Sequence, residues 1–190
     1  MSTLRVISGS ARGRRLKTVP GDTTRPITDR VKESLFNILG PDIQGSAILD
    51  LFAGTGAGGI EPLSRGAEFA QFVDRNRLPI KIVKENLQAA GLADKALVLH
   101  QDAFVVLKSE GNWKFDYVYI APPQYQGIWS QALQALDCQT NLLQEDAWVI
   151  VQIQPKEYDN VSLDHLEEFD QRQYGSTLLV FYRFAGPASI

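Results

Sequence analysis

The chain has 190 residues, 44% of them hydrophobic and 22% charged, enough for one soluble domain with a full core and short for two. A single cysteine, Cys138, excludes an internal disulfide and a Cys-x-x-Cys site, and no apolar run reaches the roughly 18 residues of a membrane span. The net charge of −3 argues against a nucleic-acid binder until it is divided: residues 1–35 hold eight basic side chains against three acids, a local +5 that leaves −8 for the remainder.

Residues 4–8 and 15–19 alternate polar and apolar side chains around Gly9-Ser10-Ala11-Arg12-Gly13-Arg14, which predicts a β-hairpin with a basic turn. Arg12, Arg14 and Arg15 there suit backbone phosphates, whose oxygens match the guanidinium fork. A loop over 23–30 carries Arg25 and Arg30. Thr28 or Asp29 then caps a helix whose apolar stripe is Val31, Leu35, Phe36 and Leu39, and Gly40-Pro41 ends it.

From residue 47 strands and helices alternate. Strands are expected at 47–51, 69–73, 96–100, 115–120 and 147–153, and helices near 57–65, 77–90, through Phe104 and Leu107, and at 129–136. Repeated strand-helix units imply a parallel sheet covered on both faces. Residues 166–174 and 176–183 instead meet around Gly175 with no helix between them, an antiparallel hairpin that closes the sheet. The expected organisation is a basic extension at 1–40, one α/β domain at 41–185 and a tail at 186–190.

In such a sheet ligands bind beyond the carboxyl ends of the strands. Gly54, Gly56 and Gly59 have the G-x-G-x-x-G spacing, a weak signal alone. Asp50, four residues ahead of Gly54, is more selective: its carboxylate repels a pyrophosphate and attracts an ammonium or sulfonium, the groups of S-adenosylmethionine. A nicotinamide-linked oxidoreductase is disfavoured on that ground. Asp74 ends the second strand twenty positions after Gly54, placed to accept both ribose hydroxyls. Asp102-Ala103 follows the third strand and suits an adenine amino group. The cofactor set read here is Asp50, Phe52, Ala53, Gly54, Gly56, Asp74, Arg75, Asp102 and Ala103, with no metal. After the fourth strand comes Ala121-Pro122-Pro123-Gln124-Tyr125, where two prolines remove two backbone donors and leave carbonyl oxygens at a fixed angle toward an amino group. His100 reads as a polar strand end, and Trp113, Trp129 and Trp148 as packing residues.

The runs Asp50-Leu-Phe-Ala-Gly-Thr-Gly, Arg25-Pro-Ile-Thr-Asp-Arg-Val-Lys-Glu33, Ser34-Leu-Phe-Asn37, Glu61-Pro-Leu-Ser-Arg-Gly-Ala67 and Tyr174-Gly-Ser-Thr-Leu resemble the RsmD family, class I methyltransferases of guanine N2 in bacterial 16S ribosomal RNA. The resemblance runs from Arg5 to Arg183. It implies a Rossmann-like α/β fold with a seven-stranded, mostly parallel sheet, S-adenosylmethionine as methyl donor, and small-subunit RNA or an assembling 30S particle as partner. A cytoplasmic protein with no membrane association follows, with a monomer favoured. One departure stands out: enzymes of this type have Asp or Asn before Pro-Pro and an aromatic after it, whereas this chain has Ala121 and Gln124, with Tyr125 one place later. The Pro122 carbonyl and Gln124 then remain to accept the amine protons, and Tyr125 to stack on a base turned out of its helix. The alternative is a catalytically impaired RNA-binding or ribosome-assembly factor on the same fold.

Overall fold

The computed structural model describes residues 4–20, 27–109 and 113–186. Its seven strands are β1 (Ala47–Asp50), β2 (Phe69–Asp74), β3 (Ala96–His100), β4 (Phe115–Ile120), β5 (Leu143–Ile153), β6 (Leu166–Tyr174) and β7 (Thr177–Phe184), in one sheet of order β3-β2-β1-β4-β5-β7-β6. Strands β1 to β5 pair in parallel, and β7 enters antiparallel between β5 and β6. The mostly parallel sheet with its C-terminal hairpin is the one the alternating pattern implies.

Helices α1 (Asp29–Leu39), α2 (Ala57–Ser64), α3 (Arg77–Ala90), α4 (Ala103–Leu107) and α5 (Ile128–Cys138) complete the regular elements. Because successive strand residues point to opposite faces, the apolar runs supply two cores at once. Ile48, Phe72, Ile150 and Phe181 pack with α1, α2 and α3 on one face, while Leu49, Val73, Val149 and Val180 pack with α4 and α5 on the other. Among the described residues no helix is long and apolar enough to cross a membrane.

Two elements depart from the pattern by more than one residue at an end. β5 starts at Leu143, four residues early, because Leu143 pairs with Phe115 across a bulge and Asp146 takes a φ of 61°; the polar Gln144-Glu145-Asp146 segment hides that extension. α5 gains Ile128 at its start and runs on to Cys138 at its end. Thr28 caps α1 as expected, its side chain accepting the Val31 N–H. The three tryptophans pack, Trp113 stacking on Phe69 with ring centroids 4.4 Å apart, and Trp129 being buried. The last four residues of the expected tail lie outside the described residues.

The N-terminal segments do turn back on each other as expected, but with less strand than the alternation predicts. Residues 4–8 and 15–19 share a single antiparallel bridge, Arg5 with Arg15, in place of two strands. Backbone bonds flank that bridge, from the Leu16 N–H to the Leu4 carbonyl at 2.8 Å and from the Val6 N–H to the Arg14 carbonyl at 2.9 Å, and buried side chains of the helices take several of the other backbone groups. Glu61 of α2, 1% exposed, accepts the N–H groups of Ile7 at 2.9 Å and Ser8 at 3.0 Å, and the Arg65 guanidinium at 2.9 Å. Ser64 accepts from Ala11 and donates to the Ser8 carbonyl. Asn86 of α3 accepts from the Lys17 N–H, and its amide nitrogen donates to the carbonyls of Lys17 and Thr55. Lys32, also 1% exposed, donates to the Arg5 carbonyl and stands 3.8 Å from Glu61. Burial holds the Lys32 pKa below the ordinary lysine value, Glu61 and Asp29 opposing that shift. Leu4, Val6 and Leu16 join the same core as α2 and α3, so the extension is part of the domain's packing.

Removing the Glu61 carboxylate strips a buried ammonium of its ion-pair partner and two backbone donors of their acceptor. The variant Glu61→Ala is expected to lose about 3–5 kcal/mol of unfolding free energy in urea. Lys17→Ala, which breaks the exposed 2.7 Å pair with Glu85, is expected to change it by less than about 1 kcal/mol. Equal losses in the two variants would remove Glu61 as the anchor of the extension.

Candidate active site

Strand order reverses between β1 and β4, and the cleft opens there, beyond their carboxyl ends. The turn after β1 is set by its backbone. Gly54 and Gly56 have φ of 52° and 80°, and Gly56 donates to the Ala53 carbonyl at 2.6 Å. Gly58 and Gly59 serve a different need, the close approach of α2 to the sheet. A Cβ at Gly58 would lie 2.5 Å from the Tyr119 ring and 2.9 Å from the Asp50 carboxylate, and one at Gly59 would lie 2.4 Å from the Phe72 ring. The glycines of the sequence motif thus divide between turning the chain and seating the helix.

That seating buries Asp50, which is 1% exposed and accepts the Gly59 N–H at 3.1 Å. Burial raises its pKa to about 7. The Gly59 hydrogen bond opposes the shift and the Asp74 charge adds to it. Tyr119 beside it on β4 is also pushed up, by burial and then by the Asp50 charge, and its hydroxyl donates to the Gln152 side-chain oxygen. Asp74 at the end of β2 accepts the Gly54 N–H at 3.1 Å and the Asn76 N–H at 2.8 Å. Asp102 caps α4, one carboxylate oxygen accepting the Phe104 N–H at 2.8 Å.

The cleft consists of two hollows that share Phe52, Gly54 and Ala121 as wall. The larger, of about 470 Å³, holds Asp74, Arg75, Asp102, Ala103 and Pro123 of the expected set. Leu78, Pro79 and Phe104 add apolar surface, and Val19 and Pro20 of the extension close one side. The smaller, of about 60 Å³, is walled by Asp50, Ala53, Ala121, Pro122 and Gln124, with Ile27, Tyr119 and Gln152.

Two expected residues line neither hollow. Gly56 begins α2, and the space where it would carry a Cβ faces Ile60 and Val83, so it shapes the turn from behind. Tyr125 is 64% exposed, and its hydroxyl donates to Gln154. The Gln124 oxygen is occupied as well, accepting from the Gln154 amide nitrogen at 2.8 Å. His100 bonds the Arg75 carbonyl at 3.0 Å, a strand-end role.

Arg12, Arg14, Arg15 and Arg30 are exposed, and Arg25 lies outside the described residues. The turn carrying Arg12 and Arg14 is pinned to Ser64 at the C-terminal end of α2, while the cleft lies at that helix's N-terminal end. At a rise of about 1.5 Å per residue, the two stand roughly 12 Å apart. Sequence reasoning missed Ile27, Gln152, Gln154 and Glu157. The signal for the glutamines was two amides at alternate positions closing the apolar run that starts at Ala147.

A family model described as conserved hypothetical protein 95 matches residues 4–183. YlbH of Bacillus subtilis is 39% identical over 185 residues, which cover 96% of this chain and 100% of that protein. Ribosomal RNA small subunit methyltransferase D of Haemophilus influenzae is 38% identical over 151 residues, 78% of each chain, and that of Escherichia coli K12 is 36% identical over 146 residues, 77% of this chain and 69% of that protein. Among solved structures, the yhhF protein of Escherichia coli superposes with a TM-score of 0.84 at 31% identity, over 97% of this chain and 99% of that one.

Asp50 also makes the ligand-free fold pH-dependent. Between its ordinary value of 3.8 and about 7 the folded chain keeps a proton that the unfolded chain releases. Stability is therefore expected to fall as pH rises from about 4 to about 7 and to level above that. Asp50→Asn is expected to flatten the slope and to stabilise the ligand-free protein above pH 7 by on the order of 1–3 kcal/mol. Denaturation midpoints across this range check it, and an unchanged slope in the variant would clear Asp50 of the effect.

Proposed function

The chain belongs to the conserved hypothetical protein 95 family, the RsmD family its motifs resemble, and on that premise we propose that it is an S-adenosylmethionine-dependent ribosomal RNA methyltransferase. Its target is the exocyclic N2 amine of a guanine in the 16S RNA of the small subunit. Two relatives covering more than three quarters of the chain carry the name of small-subunit ribosomal RNA methyltransferase. The observation that carries the reading is that the buried carboxylate of Asp50 and the residues Ala121, Pro122 and Gln124 of the turn after β4 line one small hollow.

The donor set fits that cofactor. No lysine or arginine among the described residues lines the small hollow, so a pyrophosphate finds no counter-charge there, while a cationic amino-acid end meets Asp50. When bound, S-adenosylmethionine supplies an electrophilic methyl group. Asp50 holds the positive end, and binding favours its charged form. Asp74 accepts the ribose hydroxyls. Leu78, Pro79 and Phe104 enclose the adenine beside Asp102 and Ala103, with Phe52, Ala53, Gly54, Gly56 and Arg75 framing the turn.

An exocyclic guanine amine is a poor nucleophile because its lone pair is delocalised into the ring. The Pro122 carbonyl accepts one of its protons and turns the lone pair toward the methyl carbon, a gain of orientation and electrostatics. Ala121 supplies no side-chain acceptor. Tyr125 offers its exposed ring to the base. Arg12, Arg14, Arg15, Arg25 and Arg30 take backbone phosphates, the RNA spanning the length of α2 between turn and cleft. In this reading residues 1–40 are the RNA-contacting extension of the catalytic domain at 41–185, followed by the tail at 186–190. The partner is small-subunit RNA or the assembling 30S particle, met in the cytoplasm by a monomer.

Affinity for S-adenosylmethionine is expected to rise with pH up to about 7, as Asp50 loses its proton, and Asp50→Asn to weaken it by roughly 10- to 100-fold, the loss of one charge-assisted contact. Calorimetry with an unchanged affinity in the variant would refute the site. Tritiated methyl transfer to unmodified small-subunit RNA tests the activity, and Ala121→Asp, which restores a side-chain acceptor, is expected to raise the rate by about 10². Cofactor binding without any transfer would return the impaired assembly factor as the better reading.

A further inference from the structure

Gln154 follows β5 directly, two residues past Gln152, and grips the loop that follows β4. The Tyr125 hydroxyl donates to its side-chain oxygen, and its amide nitrogen donates to the Gln124 side-chain oxygen at 2.8 Å. Glu157 ties down the backbone on both sides, accepting the Tyr125 N–H at 2.6 Å and the Gln154 N–H at 3.1 Å. Tyr125 has a φ of 61°, a conformation a bulky side chain keeps only when its surroundings hold it.

This relay has a direction. A phenol carries one proton, and an amide has a donating and an accepting end. With the Tyr125 proton on the Gln154 oxygen, the Gln154 nitrogen must donate onward, which engages the oxygen of Gln124 and leaves the Gln124 nitrogen as the group outside the relay. Gln124 lines the small hollow. One of the two lone pairs of its oxygen is thus taken up by Gln154, and the side chain offers N–H donors toward the hollow.

We propose that Gln154 is a positioning residue that fixes the polarity of Gln124, so that Gln124 donates an N–H to a hydrogen-bond acceptor on the edge of the target base while the exposed Tyr125 ring lies alongside. The assignment deepens the methyl-transfer reading and rests on it. It makes Gln124 a specificity determinant: a base lacking an acceptor at that edge leaves a donor unpaired in the cleft.

Gln154→Glu tests the polarity directly. The carboxylate keeps the shape and still accepts from Tyr125, but it cannot donate, and it draws the Gln124 nitrogen toward itself. The expected result is a rise of roughly tenfold in KM for unmodified small-subunit RNA, with the calorimetric affinity for S-adenosylmethionine and the thermal midpoint unchanged. Gln154→Met, neutral and of similar length, is expected to raise the same KM, which separates polarity from added negative charge. Gln124→Glu, which keeps the contact to Gln154 and loses the outward donors, is expected to do so as well. Wild-type KM in all three variants, with measurable wild-type turnover, overturns the proposal. A fall in cofactor affinity or thermal midpoint in step with activity marks a merely structural role and overturns it too. Absence of transfer by the wild-type protein removes the methyl-transfer reading and this inference with it, so wild-type turnover tells the two failures apart.

Discussion

A carboxylate buried against the first turn of a helix is the contact on which the cleft depends. Asp50 accepts the Gly59 N–H only because α2 lies almost on the sheet, and α2 lies there only because positions 58 and 59 carry no side chain. The same approach that removes water from Asp50 raises its pKa to about 7. A charge so expensive to keep without a partner is poised to take a cation. The cost of that arrangement falls on the ligand-free fold, and under the proposed function its benefit appears when a positive group enters, an exchange of stability for binding that functional sites commonly show.

The N-terminal extension is organised by the same helices. Glu61 and Ser64 of α2 and Asn86 of α3 satisfy its backbone, so the segment needs few strand partners of its own. Asn86 also holds the Thr55 carbonyl in the glycine turn, which couples the path of the extension to the shape of the cleft. Through this anchoring Val19, Pro20 and Ile27 become cleft wall. The extension therefore contributes to the cleft as well as presenting basic side chains at the surface.

At the acceptor end the cleft is built from amides and two phenols, with Ala121 standing where the resembled family has Asp or Asn. Gln124, Gln152 and Gln154 share hydrogen bonds with Tyr119 and Tyr125. Within the small hollow Asp50 is the one carboxylate among the described residues. A neutral wall there avoids a second negative charge next to a group whose ionisation is already costly. Substrate orientation then falls to hydrogen-bond direction, which amides specify and carboxylates do not.

Much of this was legible from the residues in order. The alternation of apolar strands with helical stripes, broken once at Gly175, determines the sheet and its closing hairpin, because periodicity reports which faces must be buried. Asp50 ahead of Gly54 and the Pro122-Pro123 step mark the cleft for the same local reason: charge and backbone donors are properties of the residues themselves. Only the tertiary structure decided the rest. Glu61, Ser64 and Asn86 look like ordinary polar helix residues until the extension packs over them, and the backbone N–H groups that donate to them lie more than fifty positions away. Gln154 and Glu157 meet Tyr125 only after β5 pairs with β4, and Gln124 meets its partner Gln154, thirty positions on, across the same gap. Hydrogen-bond partners distant along the chain leave no periodic trace in it, so the polarity of the cleft belongs to the fold.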